Sequence, residues 1–184
     1  MVVRTRQFTR ADYYRLAQAG VLGEDDRVEL LEGVIASMSP IGPLHSSVVR
    51  VLIQFFTREL GQRVLVDAQN PVILDESSEP QPDLTLLKPR ADAYRHAHPA
   101  PQDVLLLVEV AEASIELDLG EKAHLYAQAG VPEYWVADLV HKRIIVHRRP
   151  AGDRYQDITD HRPGAALAPD AFPDIGLPVE TLFQ

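Results

Sequence analysis

The segment DVLLLVEV, residues 103–110, is apolar at nearly every position, so a strand built from it can be buried only where both faces are covered. That requirement places the strand inside a sheet with a packing layer on each side. One residue breaks the run. Glu109 puts a carboxylate where burial without a partner costs several kcal/mol, so it must stay protonated or meet a cation.

The flanking segments supply the layers. FTRADYYRLAQAG (8–20) predicts a helix capped by Thr9, with Asp12 three residues on and Gly20 at its end. RVELLEGVIASM (27–38) reads as a hairpin turning at Glu32-Gly33, which leaves Glu32 in solvent. From His45 to Leu60 the apolar residues fall at 48, 49, 52, 55, 56 and 60, a helical spacing closed by Gly61. RVLVDA (63–68), NPVIL (70–74) and DLTLL (83–87) read as short strands, and the proline-rich stretch 88–102 as a surface loop. DLGEKAHLYAQAG (118–130) predicts a helix ended by Gly130, followed by strands EYWVAD (133–138) and RIIVHRR (143–149). Tyr134 and Trp135 are assigned to the core and the sheet edge, and Asp138 to the turn at a strand end. The Pro- and Gly-rich tail, 162–178, is expected to add only minor elements. The order predicts an α/β fold, a central mixed β-sheet flanked by α-helices, in one domain spanning 1–184 without repeat or linker.

Composition narrows the function classes. There is no cysteine, which excludes disulfides and thiolate metal sites. No run approaches the ~18 apolar residues of a membrane span, and MVVRTRQFTRADYY lacks the apolar stretch of a signal peptide. A cytoplasmic protein is the expectation. The net charge of −9, from 27 acidic and 18 basic residues, disfavours a polyanion partner unless acids gather around a metal ion, whose charge then dominates the local field.

Asp83 opens DLTLL and Glu109 lies near the end of DVLLLVEV. If these strands pair, the two acids converge at one edge of the sheet, where α/β ligand sites form. Lys122 lies thirteen residues beyond Glu109 on the next helix, from which it can face the same edge. Two acids and an amine fit a magnesium site with the lysine acting on a water or phosphate. The alternative is structural: Asp83 caps a turn and Lys122 pairs with Asp118 at i,i+4. His96, His98, His141, His147 and His161 lack metal-ligand spacing.

QPDLTLL, LLLVEV and EKAHLYAQAGVPEYWVAD, preceded by RVELLEGVIASMSPIGPLH, resemble the Uma-type restriction-endonuclease family of the PD-(D/E)XK nuclease superfamily. The resemblance covers roughly residues 8–150, with AGVPEYWVAD its most specific stretch. It implies a restriction-endonuclease-like fold, with Asp83 and Glu109 as the motif acids and the Val110 backbone carbonyl as a further metal ligand. The usual lysine position is Ala111, and the resemblance moves that lysine to Lys122. Glu29 matches a further acidic site position. His45 matches a family histidine, for contact with a phosphate or a metal-bound water, and a solvated helix-start histidine is the alternative.

Together these features predict a magnesium- or manganese-dependent endonuclease hydrolysing DNA phosphodiester bonds, with branched DNA or RNA as the alternative substrate. Asp83, Glu109, Glu29 and the Val110 carbonyl would hold the ion, and Lys122 and His45 would complete the site. Cutting both strands would need a homodimer or two nicks. The rival is a nuclease-like binding or regulatory module without turnover, which the acidic charge favours.

Overall fold

A computed structural model describes residues 6–23 and 25–184, so the first five residues of the N-terminal stretch read above lie outside it. Helix α1 (Arg10–Gln18) begins at Thr9, whose hydroxyl and backbone exchange hydrogen bonds with Asp12 in a capping box. Strands β1 (Val28–Leu31) and β2 (Val34–Ser37) form the expected hairpin. Its turn needs left-handed backbone at both Glu32 (φ 46°) and Gly33 (φ 76°), and Glu32 is exposed there. A Cβ on Gly33 would lie 2.5 Å from the Cβ of Gln7, so only glycine fits.

Helix α2 (Pro43–Leu60) starts with proline in its first turn and buries Val48, Val49, Leu52, Phe55, Phe56 and Leu60, the face read from the spacing. Six strands follow in one sheet, ordered β3 (Leu65–Asp67), β4 (Leu84–Leu87), β5 (Val104–Ala111), β6 (Glu133–Asp138), β7 (Arg143–Ala151) and β8 (Arg154–His161). Only β5 and β6 run parallel; the other pairs are antiparallel. The parallel pair requires a crossover, built from α3 (Ile115–Leu117), a wide π turn (Asp118–Lys122) and α4 (Ala123–Gln128).

Alternation along β5 explains its unbroken apolar character. Leu106, Val108 and Val110 face the α2 side, in a cluster with Phe56, Leu84 and Trp135. Leu107 and Ala111 face the α4 side with Tyr126, Ala127 and Tyr134. Glu109 shares the parity of this second face. No helix among the described residues is long and apolar enough to cross a membrane.

Five readings change. Residues 70–74 form no ladder; the backbone N–H groups of Val72, Ile73 and Leu74 donate to Pro80, Pro99 and Ser78 carbonyls instead. The crossover helix begins at Ile115 rather than residue 118. Strand β8, RYQDITDH, carries a polar pattern that hid it: it is a sheet edge with mostly exposed side chains. The tail does more than decorate, since Leu167, Phe172, Leu177, Val179 and Leu182 complete the α2-side core. Tyr134 and Trp135 are both fully buried on a central strand, one in each cluster, so neither lies at the sheet edge. Asp138 does end its strand, accepting hydrogen bonds from His141 and Arg143.

Burial predicts an uneven response to truncation. Leu106→Ala, at 0% exposure in the core, should lose about 2–5 kcal/mol of unfolding free energy by urea titration. Ile158→Ala, 58% exposed on the edge strand, should change it by less than about 0.5 kcal/mol.

Candidate active site

Antiparallel pairing decides the site. Leu84 of β4 lies opposite Val108 of β5, so the residue before β4 meets the residue after Val108. Those residues are Asp83 and Glu109. The backbone N–H of Asp83 donates to Glu109 Oε2 at 3.3 Å, and the N–H of Val110 donates to Asp83 Oδ2 at 2.9 Å. In a strand the N–H and C=O of one residue point the same way, so the Val110 carbonyl faces Asp83 as well.

Two further elements reach this edge. The first turn of α2 brings His45, whose Nε2 lies 3.0 Å from Asp83 Oδ2. A carboxylate only accepts, so Nε2 carries a hydrogen; the ring's Nδ1 is buried without a partner. His45 is thus turned to Asp83 and is not a solvated cap. The crossover brings Lys122, whose Nζ lies 3.0 Å from both Glu109 Oε1 and Glu29 Oε1. Glu29 comes from β1 and is joined to the segment before β4 by Gln81 N–H, which donates to Glu29 Oε2 at 3.1 Å. Tyr126 Oη donates to Glu109 Oε1 at 2.9 Å.

All the predicted side chains therefore meet, around a cavity of about 360 Å³ that Asp83, Glu109, Glu29, His45 and Lys122 line. Lys122 prefers Glu29 and Glu109 to the i,i+4 partner Asp118, and Asp83 is held by β5 and α2 rather than by a local turn. Ala111 lies on the same face as Glu109 and is fully buried among apolar groups, so a lysine stem there would be pressed into that core. The helix instead delivers its ammonium from above the sheet.

Charge balance separates this site from the other buried acids. Glu79, Glu133 and Asp138 each pair with an arginine, Arg10, Arg148 and Arg143. Glu29, Asp83, Glu109 and Asp118 are also buried and line one cavity, with Lys122 on Glu29 and Glu109 and His45 on Asp83; among the described residues no arginine pairs with them. Burial pushes Glu109 well above the usual carboxylate range, with Asp118, Asp83 and Glu29 adding repulsion against the opposing pull of Lys122. Burial likewise raises Asp118 to about 6. Burial alone would pull Lys122 down, but Glu109, Glu29 and Asp118 outweigh it and hold the amine protonated.

The donor set can be tested against a divalent ion. Among the described residues no group of three or more His, Asp or Glu side chains forms a ready cage. Among the oxygens at the cavity, Asp83, Glu109 Oε2 with its single long contact, and the Val110 carbonyl lie together at the β4–β5 edge, while Glu29 and Asp118 are engaged by Lys122, Gln81 N–H and Ser114 and Glu112 lies at the rim. Hard oxygens in this number suit magnesium, which keeps several waters and uses one or two carboxylates plus substrate phosphate.

The family model described as "Putative restriction endonuclease", Uma2, matches residues 10–180. This chain belongs to the Uma2 family. Among solved structures it is similar to the "Crystal structure of a putative nuclease belonging to DUF820 from Anabaena variabilis ATCC 29413". The identity is 15%, coverage is 96% of this chain and 97% of that one, and the TM-score is 0.75. That likeness shows the fold, a mixed central sheet with flanking helices, and Uma2 membership supports a nuclease-like function. No curated protein matches the chain.

Two residues of this Uma2 site escaped sequence reasoning in their present roles. Asp118 is 2% exposed, accepts the Ser114 hydroxyl at 2.6 Å, and receives the Tyr134 hydroxyl on its carbonyl at 3.0 Å. Tyr126 orients Glu109. A signal was available: Asp118, Lys122 and Tyr126 recur at intervals of four, one stripe of a helix.

Asp118 generates a pH prediction. Its folded pKa of about 6 exceeds the ordinary 3.8, so the folded chain holds that proton more tightly than the unfolded chain. The resulting stability is present at acid pH and is lost as pH rises from about 4 to about 6. Asp118→Asn removes this loss. In chelator at pH 7 the variant should be more stable than wild type by about 3 kcal/mol, a gap that closes towards pH 4 in urea titrations.

Proposed function

We propose that the chain is a metal-dependent endonuclease that hydrolyses DNA phosphodiester bonds, with magnesium or manganese held by Asp83, Glu109 and the Val110 carbonyl. The observation that carries this reading is the excess of buried carboxylates over buried cations at one cavity: among the described residues Glu29, Asp83, Glu109 and Asp118 line it with one buried lysine, Lys122, while Arg27 at its rim is exposed. Buried anions without counter-ions are costly, and a fold that keeps them together favours a cation from solution.

When bound, such an ion lowers the pKa of a coordinated water and offsets charge on the phosphate oxygens. The chain's own residues do the rest. Lys122 remains an ammonium because its carboxylate neighbours keep it protonated, so it orients the water and stabilises charge growing on the phosphate rather than removing a proton. His45 fixes the rotamer of Asp83, and Tyr126 fixes that of Glu109. The segment leading from β2 into α2 (Ser39, Gly42, His45) and the start of the crossover (Ser114, Leu117) line the cavity on either side of the acids. With one site per chain, cleavage of both strands of a duplex proceeds through a homodimer or through two nicks.

Plasmid nicking should require magnesium or manganese and vanish in chelator. Asp83→Ala and Glu109→Ala should abolish it, and Lys122→Ala should slow it by about 10²–10³-fold while the fold survives. Full activity in excess chelator overturns the mechanism.

Thermal melts read the site without nucleic acid. Wild type should gain ~2.7 kcal/mol at magnesium a hundredfold above its dissociation constant, and Asp83→Asn should gain much less. In chelator Asp83→Asn should melt at or above wild type, because one repelling charge is gone. Equal magnesium gains in both proteins would move the assignment to a nuclease-like binding module.

A further inference from the structure

Glu29 stands apart from the other site acids in how its oxygens are used. Oε1 lies 3.0 Å from Lys122 Nζ, and Oε2 accepts Gln81 N–H at 3.1 Å. Its side chain is only 4% exposed. The strand that carries it is also stapled to the segment bearing Gln81. Leu30 and Glu79 exchange two backbone hydrogen bonds, at 2.7 and 3.4 Å, and Gln81 Nε2 donates to the Val28 carbonyl at 3.4 Å. Glu29 therefore cannot turn towards Asp83 without abandoning both donors and breaking into a packed strand.

Glu109 divides its oxygens differently. Oε1 receives Lys122 and Tyr126, whereas Oε2 holds only the 3.3 Å contact from Asp83 N–H. One carboxylate thus has an ammonium side and an Asp83 side, and Glu29 lies on the ammonium side. We infer that Glu29 is the positioning residue of Lys122 and not a metal ligand, clamping the ammonium against Glu109 Oε1 so that Oε2 and Asp83 stay available to the cation.

The clamp has a clear physical purpose. A lysine stem carries much rotamer freedom, and a lysine arriving from a helix lacks the fixed placement of one on the strand itself. Contact with one carboxylate would leave the ammonium free to swing. Contact with two, from β1 and β5, defines its position. An ammonium has three N–H donors; Glu29 and Glu109 take two, and the third is left for a water or phosphate oxygen in the cavity that Lys122 lines.

The metal part of this inference rests on the proposed nuclease reading, and the test separates the two. Glu29→Gln, Glu109→Gln, Lys122→Met and the Glu29→Gln/Lys122→Met double variant are made in the full chain. Manganese binding without nucleic acid, followed by electron paramagnetic resonance, should remain close to wild type in Glu29→Gln and weaken by about tenfold or more in Glu109→Gln. In chelator, Glu29→Gln should lower the melting temperature when Lys122 is present and leave it unchanged or raised in the Lys122→Met background. Cleavage by Glu29→Gln should fall about 10²-fold in kcat with KM little changed, and the double variant should be no slower than Lys122→Met alone. The inference is overturned if Glu29→Gln loses manganese as Glu109→Gln does, or if its melting penalty persists without Lys122. A wild type that binds no manganese or cuts no DNA defeats the nuclease reading alone, since the melting cycle still decides whether Glu29 clamps the lysine.

Discussion

The ammonium of Lys122, 3.0 Å from Glu29 and from Glu109, is the interaction on which the site depends. It joins three elements that are distant in sequence: the hairpin, the central strand and the crossover. Without it, four buried carboxylates would face one another in a medium where unpaired charge is costly. With it, the charge is only partly offset: burial raises the pKa of both Glu109 and Asp118, Lys122 pulls them down, and the neighbouring carboxylates add repulsion. The site is held together by an electrostatic compromise, and the divalent cation proposed above would complete it.

The sheet topology makes that compromise possible. Antiparallel pairing of β4 and β5 puts the start of one beside the end of the other, so Asp83 and Glu109 are neighbours through backbone hydrogen bonds and not through side-chain chance. The parallel step from β5 to β6 then forces a crossover, and that crossover passes over Glu109. Its π turn, Asp118–Lys122, is wider than an α-helical turn and buries both end residues on the sheet side. Wide turns of this kind recur at functional sites, and here one presents a carboxyl group and an ammonium.

Much of this was readable beforehand, for reasons that differ by residue. The two-faced burial of β5 is written in LLLVEV, and α2 in its apolar spacing, because both patterns follow from the period of the element alone. The convergence of Asp83 and Glu109 needed only the assumption that their strands pair. Strand β8 was hidden because an edge strand with one wet side does not look apolar. Residues 70–74 misled in the opposite direction, since VIL is strand-like in composition yet finds its partners in loop carbonyls. The bond from His45 to Asp83 and the clamp by Glu29 depend on how α2 and the hairpin sit against the sheet, which no local pattern encodes.

A lysine on the crossover rather than on the strand changes what the site responds to. A lysine at position 111 would follow β5 rigidly, two residues from Glu109. At 122 its position depends on the crossover packing through Ala123, Tyr126 and Ala127 onto Leu107, Tyr134 and Val136. Tyr126 then serves two ends at once, with its ring against Tyr134 at 4.9 Å and its hydroxyl on Glu109 at 2.9 Å. Tyr134 in turn holds the Asp118 carbonyl at 3.0 Å. The same aromatic pair that glues the helix to the sheet therefore fixes the carboxylate, the π turn and, through it, the ammonium. Packing and site geometry are a single constraint here, because loosening the α4 face would move Lys122 and release Glu109 together.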